Sequence, residues 1–340
     1  MTDGPDVPLS PPTPQGSGSP LHDVVVVGAS MGGLDALRTL AAGLPAGFPA
    51  AVFVVLHTAA DGPGLLAEIL DAAGPLPAAF ARDGEPVRPG RITVAPPDAH
   101  VLLTDGGVRL SRGARENRSR PAVDPLFRSA AVTFRSRVVG VVLTGYLDDG
   151  AAGLRAVAEC GGLAVVQDPA TAAYPSMPRA ALAAVPTAMP VPIDGLAGLL
   201  HDLVGRPAGP APPVPPRLLV EAKITERGMS DTETMDQLGQ RSHVTCPECG
   251  GTLWLIEQGS DGRPDRYRCH TGHAYTEGAL YGAQTESTEQ ALYVALRTLE
   301  ERSQMLRRMG DQYGEAYTFR AAEMDRHADA IRAVLVQTQE

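Results

Sequence analysis

Aromatic side chains are scarce in this 340-residue sequence, at 4% with a single tryptophan. Its core must come from Ala, Val and Leu, and the 44% hydrophobic content supplies enough of them for a globular fold. Cysteine is scarce too. Three of the four cluster near the C-terminus, which suits a metal site in a reducing compartment better than a disulfide scaffold. No apolar run reaches the roughly 18 residues of a membrane span. Residues 1–20 hold six prolines and no apolar run, so no secretory signal is read there. The net charge of −10 argues against a broad basic face for nucleic acid. These deficits together predict a cytoplasmic protein of about two domains, with no nucleic-acid partner and no direct membrane insertion.

What is present alternates. Apolar runs at 23–30, 50–57, 138–145 and 163–168 are separated by segments with helical spacing, such as Leu34, Leu37, Leu40 and Ala41. Nearly continuous Val/Leu strands with helical crossovers predict an α/β fold: a mostly parallel, doubly wound sheet with helices on both faces. Residues 91–110 read as a meander with a turn at Asp105-Gly106-Gly107. Residues 123–135 read as a helix with Asp124 as N-cap and Pro125 at its first position. Six prolines in 207–216 predict a stiff linker. The expected division is a disordered tail (1–21), a catalytic domain (22–204), a Pro-rich linker with a polar segment (205–240), a zinc-ribbon-like module (241–275) and a helical segment (276–340). In the last, helices over about 286–309 and 315–338 are separated by Gly310 and Gly314 and form a hairpin.

The first strand runs into a glycine turn, VVVVGASMGG (24–33). Gly28, Ser30 and Gly33 approach the spacing of a dinucleotide-binding loop, but Ser30 stands where a glycine would make room for the pyrophosphate. His57 also ends the second strand, where an acidic residue would hold a ribose. The same residues read as G-x-S-x-G, a turn that lifts a serine off a strand end. Gly28 and Gly32 flank that serine, and Gly33 lets the helix sit close to the sheet. In a parallel sheet, sites form at the carboxyl ends of strands. Three such ends carry Ser30, His57 and, in LTGYLDDG, Asp148 and Asp149. Serine needs a base, and the base a carboxylate to fix its tautomer. Ser30, His57 and Asp149 are therefore the candidate nucleophile, base and orienting acid. Asp149 is preferred to Asp148, and His100 is the rival base. The Met31 N–H, at the start of the following helix, is the leading oxyanion donor.

GASMGG, a histidine ending the second strand, AVDPLFRSAA (122–131) and LTGxxxDGAAGL (143–154) resemble the chemotaxis protein-glutamate methylesterase family (CheB type). RITVAPPDAHVLL and VVQDPATAAYPSMPRAAL are similar to it as well, so the resemblance covers about residues 22–203. It implies a serine hydrolase that demethylates glutamate γ-methyl esters on receptors; some members also deamidate receptor glutamines. It assigns Ser30, His57 and Asp149 the same roles, without a catalytic cofactor, and its partner would be a methylated receptor or another signalling protein. Met31 stands where the family often has threonine. Tyr146 and Leu147 stand where methionine and glycine are usual, and the Tyr146 backbone is the second candidate oxyanion donor. The family's chemotaxis member carries an N-terminal receiver domain. Here 20 Pro-rich residues stand in its place, so control by phosphorylation in cis is not expected. An adaptor with little turnover, an esterase fold joined to an interaction module, is the alternative.

Arg112, Arg115, Arg118 and Arg120 form a basic loop that could meet a glutamate-rich partner, although a solvated loop explains it as well. Near the C-terminus, Cys246-x-x-Cys249 and Cys269-His270-Thr271-Gly272-His273 form two knuckles separated by β-like segments. This spacing suits a structural zinc held by Cys246, Cys249, Cys269 and His273, with His270 as the less favoured fourth ligand. Leu292, Leu296, Leu299 and Leu306 on one helix, and Phe319, Ile331, Val334 and Leu335 on the next, form faces for intramolecular packing, a homodimer or a partner.

Overall fold

A computed structural model describes residues 20–257 and 265–337; most of the expected N-terminal tail lies outside them. The chain divides into two compact units, Met1–Cys246 with Gly251–Ala279, and Pro247–Gly250 with Leu280–Glu340.

The first unit begins with β1 (Val24–Ala29), α1 (Gly33–Gly43), β2 (Ala51–Leu56), α2 (Leu66–Ala73), β3 (Ala78–Phe80), β4 (Arg91–Val94), β5 (His100–Thr104) and β6 (Gly107–Ser111). It continues through α3 (Val123–Phe134), β7 (Val138–Val142), α4 (Ala151–Glu159), β8 (Leu163–Gln167), α5 (Ser176–Ala184), β9 (Met189–Val191) and α6 (Ile193–Leu203). Seven strands form a parallel sheet in the order β3-β4-β2-β1-β7-β8-β9. β5 and β6 form the expected hairpin apart from it.

The valines of β1 explain why the sheet is covered twice. Successive side chains point to opposite faces. Val24 and Val26 enter a core with Leu126, Phe127, Leu154 and Met177, while Val25 and Val27 enter a second with Leu37, Leu40, Leu196 and Leu200. Each fully buried valine contributes about 1.5–3 kcal/mol. Gly28 is required by α3: a Cβ there would meet Val123 Cγ1 at 2.2 Å. The chain leaves β1 towards β2 on one side and returns as β7 on the other. This switch point opens a crevice at the carboxyl ends of the strands.

Residues 205–240 are more ordered than a linker. Arg135 donates to the Ala211 and Pro212 carbonyls, which fastens the Pro-rich stretch to the domain surface. The polar segment forms α7 (Pro216–Arg227), with proline at its start, and α8 (Thr232–Leu238), whose N-cap Asp231 accepts the Thr234 N–H at 2.7 Å. β10 (Gln240–Thr245), β11 (Thr252–Glu257), β12 (Arg266–Cys269) and β13 (Ala274–Thr276) then form a four-stranded antiparallel sheet. Its apolar core is small: Trp254 and Ile256 pack with Ile224, Met235 and Leu238.

The second unit is a pair of helices. α9 (Glu277–Tyr313) has its first three residues in the first unit, and α10 (Glu315–Gln337) follows. The break expected at Gly310 does not occur. Gly310 lies inside α9, where a Cβ would meet Thr318 Oγ1 at 2.4 Å; its smallness serves the approach of α10. The turn falls at Gly314, φ +106°. Ser303 and Arg307 bond Asp325, and Arg332 bonds Glu300 across the pair. Phe319 and Val334, expected in the packing face, are exposed; Ala321, Ala328 and Leu335 are the buried residues of α10.

Candidate active site

The three strand ends converge in the crevice. Ser30 follows β1, with its N–H donating to the Thr144 carbonyl at 3.0 Å. The turn closes through Gly32 at φ +72°, a conformation glycine adopts without strain. Ser30 Oγ lies 3.1 Å from His57 Nδ1, and His57 Nε2 lies 2.7 Å from Asp149 Oδ2. An ionised carboxylate only accepts, so Nε2 carries the proton donated to Asp149. That leaves the Nδ1 lone pair facing the Ser30 hydroxyl.

Asp149 is buried and densely bonded. Oδ2 also accepts the Val123 N–H at 2.7 Å; Oδ1 accepts from Asn117 Nδ2, Asp124 N and Gly150 N at 2.9, 3.1 and 3.0 Å. The Val123 and Asp124 donors are the free amides of the α3 N-terminus, a natural seat for an anion. Burial alone would raise the Asp149 carboxyl; His57 and these donors hold it below its ordinary range. The neighbouring Asp124 goes the other way, pushed up to about 7 by burial and then by the charge of Asp149.

Asp124 corrects the sequence expectation. The N-cap of α3 is Ala122, not Asp124. The Asp124 carboxylate instead accepts the Gly150 and Gly153 N–H groups at 3.0 and 2.7 Å, capping α4 from across the crevice. Asp148 turns away from His57 and accepts the Thr276 hydroxyl at 2.7 Å; burial raises its carboxyl. His100 is fully buried with both ring nitrogens engaged, accepting from Ala122 N and donating to the Ala114 carbonyl, and burial lowers its pKa. It is a packing residue. Asn117 had no signal in the sequence beyond its place in the basic loop.

The Met31 and Tyr146 side chains are both about half exposed, at 52% and 53%. The Tyr146 ring packs on Tyr174, centroids 4.6 Å apart, and Leu147 has φ +59°. Leu56 and Thr58, the chain neighbours of His57, line an apolar cavity of about 230 Å³ with Leu34, Leu65, Ile69 and Phe80. In the basic loop, Arg120 is committed internally, bonding Asp98 and the Arg112 and Gly113 carbonyls.

Beneath that loop lies a buried charge cluster. Arg128 grips both Glu116 oxygens at 2.7 and 2.8 Å, Arg268 pairs with Glu116 at 2.9 Å, and Arg266 bonds Glu221 at 2.7 Å. Burial would raise both glutamates, but the arginines hold them well below the usual carboxylate range.

At the antiparallel sheet, Cys246, Cys249, Cys269 and His273 offer ligand atoms within 4.8 Å of one another. Cys246 Sγ and Cys269 Sγ lie 3.6 and 3.5 Å from His273 Nδ1. Tetrahedral zinc with ordinary bond lengths separates sulfur from nitrogen by about 3.6 Å, so this donor set fits it. Tyr275 and Thr271 hydroxyls contact the Cys246 and Cys269 sulfurs at 3.4 and 3.1 Å, as outer-shell partners of thiolate ligands do. No helix among the described residues is long and apolar enough to cross a membrane.

The family model for CheB methylesterase matches residues 25–200. A protein-glutamate methylesterase/protein-glutamine glutaminase 2 of Anaeromyxobacter dehalogenans is 41% identical over 181 residues, 53% of each chain. A putative protein of the same description from Leptospira interrogans is 37% identical over 183 residues, 54% of this chain and 95% of that one. The chain thus spans about half the length of the first relative and nearly all of the second. The crystal structure of the Thermotoga maritima CheB methylesterase catalytic domain is similar with a TM-score of 0.52 and 33% identity, covering 54% of this chain and 98% of that domain. Residues 25–200, the span of the family model, take in nearly all of the parallel sheet and its strand ends.

Proposed function

We propose that this chain, which belongs to the CheB methylesterase family, is a serine hydrolase that demethylates glutamate γ-methyl esters on a chemoreceptor-type signalling protein. The observation that carries the reading is the hydrogen-bonded chain from Ser30 through His57 to Asp149. Ser30 Oγ attacks the ester carbonyl as His57 Nδ1 takes its proton. Asp149 holds the ring and stabilises the imidazolium. The Met31 and Tyr146 N–H groups donate to the oxyanion. The tetrahedral intermediate collapses and methanol leaves with the proton from His57. Water, deprotonated by His57, then attacks the acyl-enzyme, restoring Ser30 and releasing the glutamate carboxylate. With glutamine as substrate, ammonia leaves instead, which would make the protein a deamidase as well. A cytoplasmic setting belongs to the same reading.

A zinc ion held by Cys246, Cys249, Cys269 and His273 belongs to this reading. Four protein ligands leave no open position, so it supplies structure and no catalytic chemistry. The antiparallel sheet is on this reading a zinc ribbon.

The deciding experiment is methanol release from a methylated receptor by wild type and Ser30→Ala; equal rates refute the mechanism. The adaptor alternative is favoured by the exposed Tyr146-Leu147 stretch at the crevice. A fluorophosphonate separates the two, because an active esterase is labelled only with Ser30 and His57 intact.

A further inference from the structure

We propose that the antiparallel sheet is a strut for the catalytic aspartate, that Asn117 is the positioning residue carrying the constraint, and that metal at the four-ligand cluster thereby tunes turnover. The proposal rests on the esterase and metal readings above.

Residues 115–119 form a tight loop, with Asn117 and Arg118 both left-handed at φ 49° and 66°. Asparagine tolerates that region better than most residues. The loop extends the antiparallel sheet: Asn117 N–H donates to the Ala274 carbonyl at 2.7 Å, and Ala274 N–H to the Arg115 carbonyl at 3.3 Å. The Asn117 side chain then spans from sheet to triad. Oδ1 accepts the Thr276 N–H at 3.2 Å, while Nδ2 donates to Asp149 Oδ1 at 2.9 Å and Asp124 Oδ2 at 3.0 Å. The amide orientation follows from its partners, since a backbone N–H can only donate and the ionised Asp149 can only accept. Thr276 adds a second strap through its hydroxyl to Asp148, next to Asp149.

The metal cluster lies at the other end of the same strand. His273 immediately precedes Ala274, the first residue of β13. Its knuckle is closed by Cys269 N–H to the His273 carbonyl and Gly272 N–H to the Cys269 carbonyl, both 3.0 Å. Arg268 ties it down again, donating to the Gly272 carbonyl at 3.0 Å and pairing with Glu116, the residue before Asn117. From His273, one peptide bond and two hydrogen-bonded steps through Asn117 reach Asp149. β13 lies outside residues 25–200, so this support comes from beyond the span matched by the family model.

Two substitutions in the full chain separate the amide from the backbone. Asn117→Gly keeps the left-handed turn and the Ala274 bond but removes the side chain. Asn117→Asp replaces the donor with a carboxylate facing Asp149. The expected result for Asn117→Gly is a kcat for methanol release lowered about tenfold or more, with KM within about twofold and an unchanged circular dichroism spectrum. Asn117→Asp should fall further. Removing metal from the wild type should slow fluorophosphonate labelling of Ser30 and speed hydrogen exchange in peptides covering 112–122. In Asn117→Gly, labelling should already be slow, and chelation should slow it little further. Equal labelling by wild type and Asn117→Gly overturns the strut alone, as does chelation that slows both by the same factor. Absence of Ser30 labelling in the metal-loaded wild type overturns the esterase reading itself.

Discussion

The parallel sheet and the antiparallel sheet solve the same problem with different materials. The strand β1 is wholly apolar, and the two faces of its sheet are filled mainly by Val, Leu, Ala and Phe from the sheet and its flanking helices. Around β12 the apolar cluster is small and the interior holds Arg128, Arg266 and Arg268 against Glu116 and Glu221. A region held by apolar area resists salt, chelators and acid. One held by buried charge, and on the proposed reading by zinc, depends on every partner being present and ionised.

The largest effect should come from the metal cluster. Cys246→Ser with Cys249→Ser should abolish stoichiometric zinc in the purified protein. It should also melt the antiparallel sheet well before the parallel one, since structural zinc sites contribute about 10 kcal/mol or more of apparent binding energy. Zinc retained by the double variant would refute the site. Next, Glu116→Ala should cost about 3–5 kcal/mol in denaturant titration, because it removes the nearer carboxylate from buried Arg128 and Arg268 and leaves each only Glu221 at 3.5 Å. A cost below about 1 kcal/mol would mean that buried charge does not hold this region. On the apolar side, Leu126→Ala should cost about 2–5 kcal/mol by cavity formation, without the salt or acid dependence of the Glu116 variant.

The smallest effect is a slope with pH. Glu116 and Glu221 titrate below their unfolded values, so the unfolded chain binds more protons as pH falls beneath about 4.5. Their contribution is complete above that pH and is lost progressively as the pH falls towards their depressed folded values. Stability monitored from pH 6 to 3 should fall earlier for the antiparallel sheet than for the parallel one. Coincident losses would erase the contrast.

The same contrast explains what could be read from the residues alone. Apolar runs ending in Ser30 and His57, and a third followed by Asp149, are local patterns, and a parallel sheet carries them to one edge by topology. The antiparallel region depends on distant pairings. Glu221 and Thr225 make α7 look like a polar linker because their partners, Glu116, Arg128 and Arg266, lie 45 to 109 residues away. Asp124 sits where an N-cap should, yet its carboxylate serves the helix 26 residues on. Gly310 looks like a stop signal and is instead a contact site, which only the partner helix reveals. Asn117 matters through neighbours at 149 and 276 that no spacing rule connects.

The single tryptophan has a consequence for measurement. Trp254 is buried in β11, its indole N–H bonded to Asp236 at 2.8 Å and the Arg241 guanidinium 5.6 Å from its ring centroid. Tryptophan emission is thus a private channel to the antiparallel sheet, silent about the strands that carry Ser30. Far-ultraviolet dichroism, dominated by the helices, is largely blind in the opposite sense. One sample observed in both lights reports two melting events by colour, with no label added.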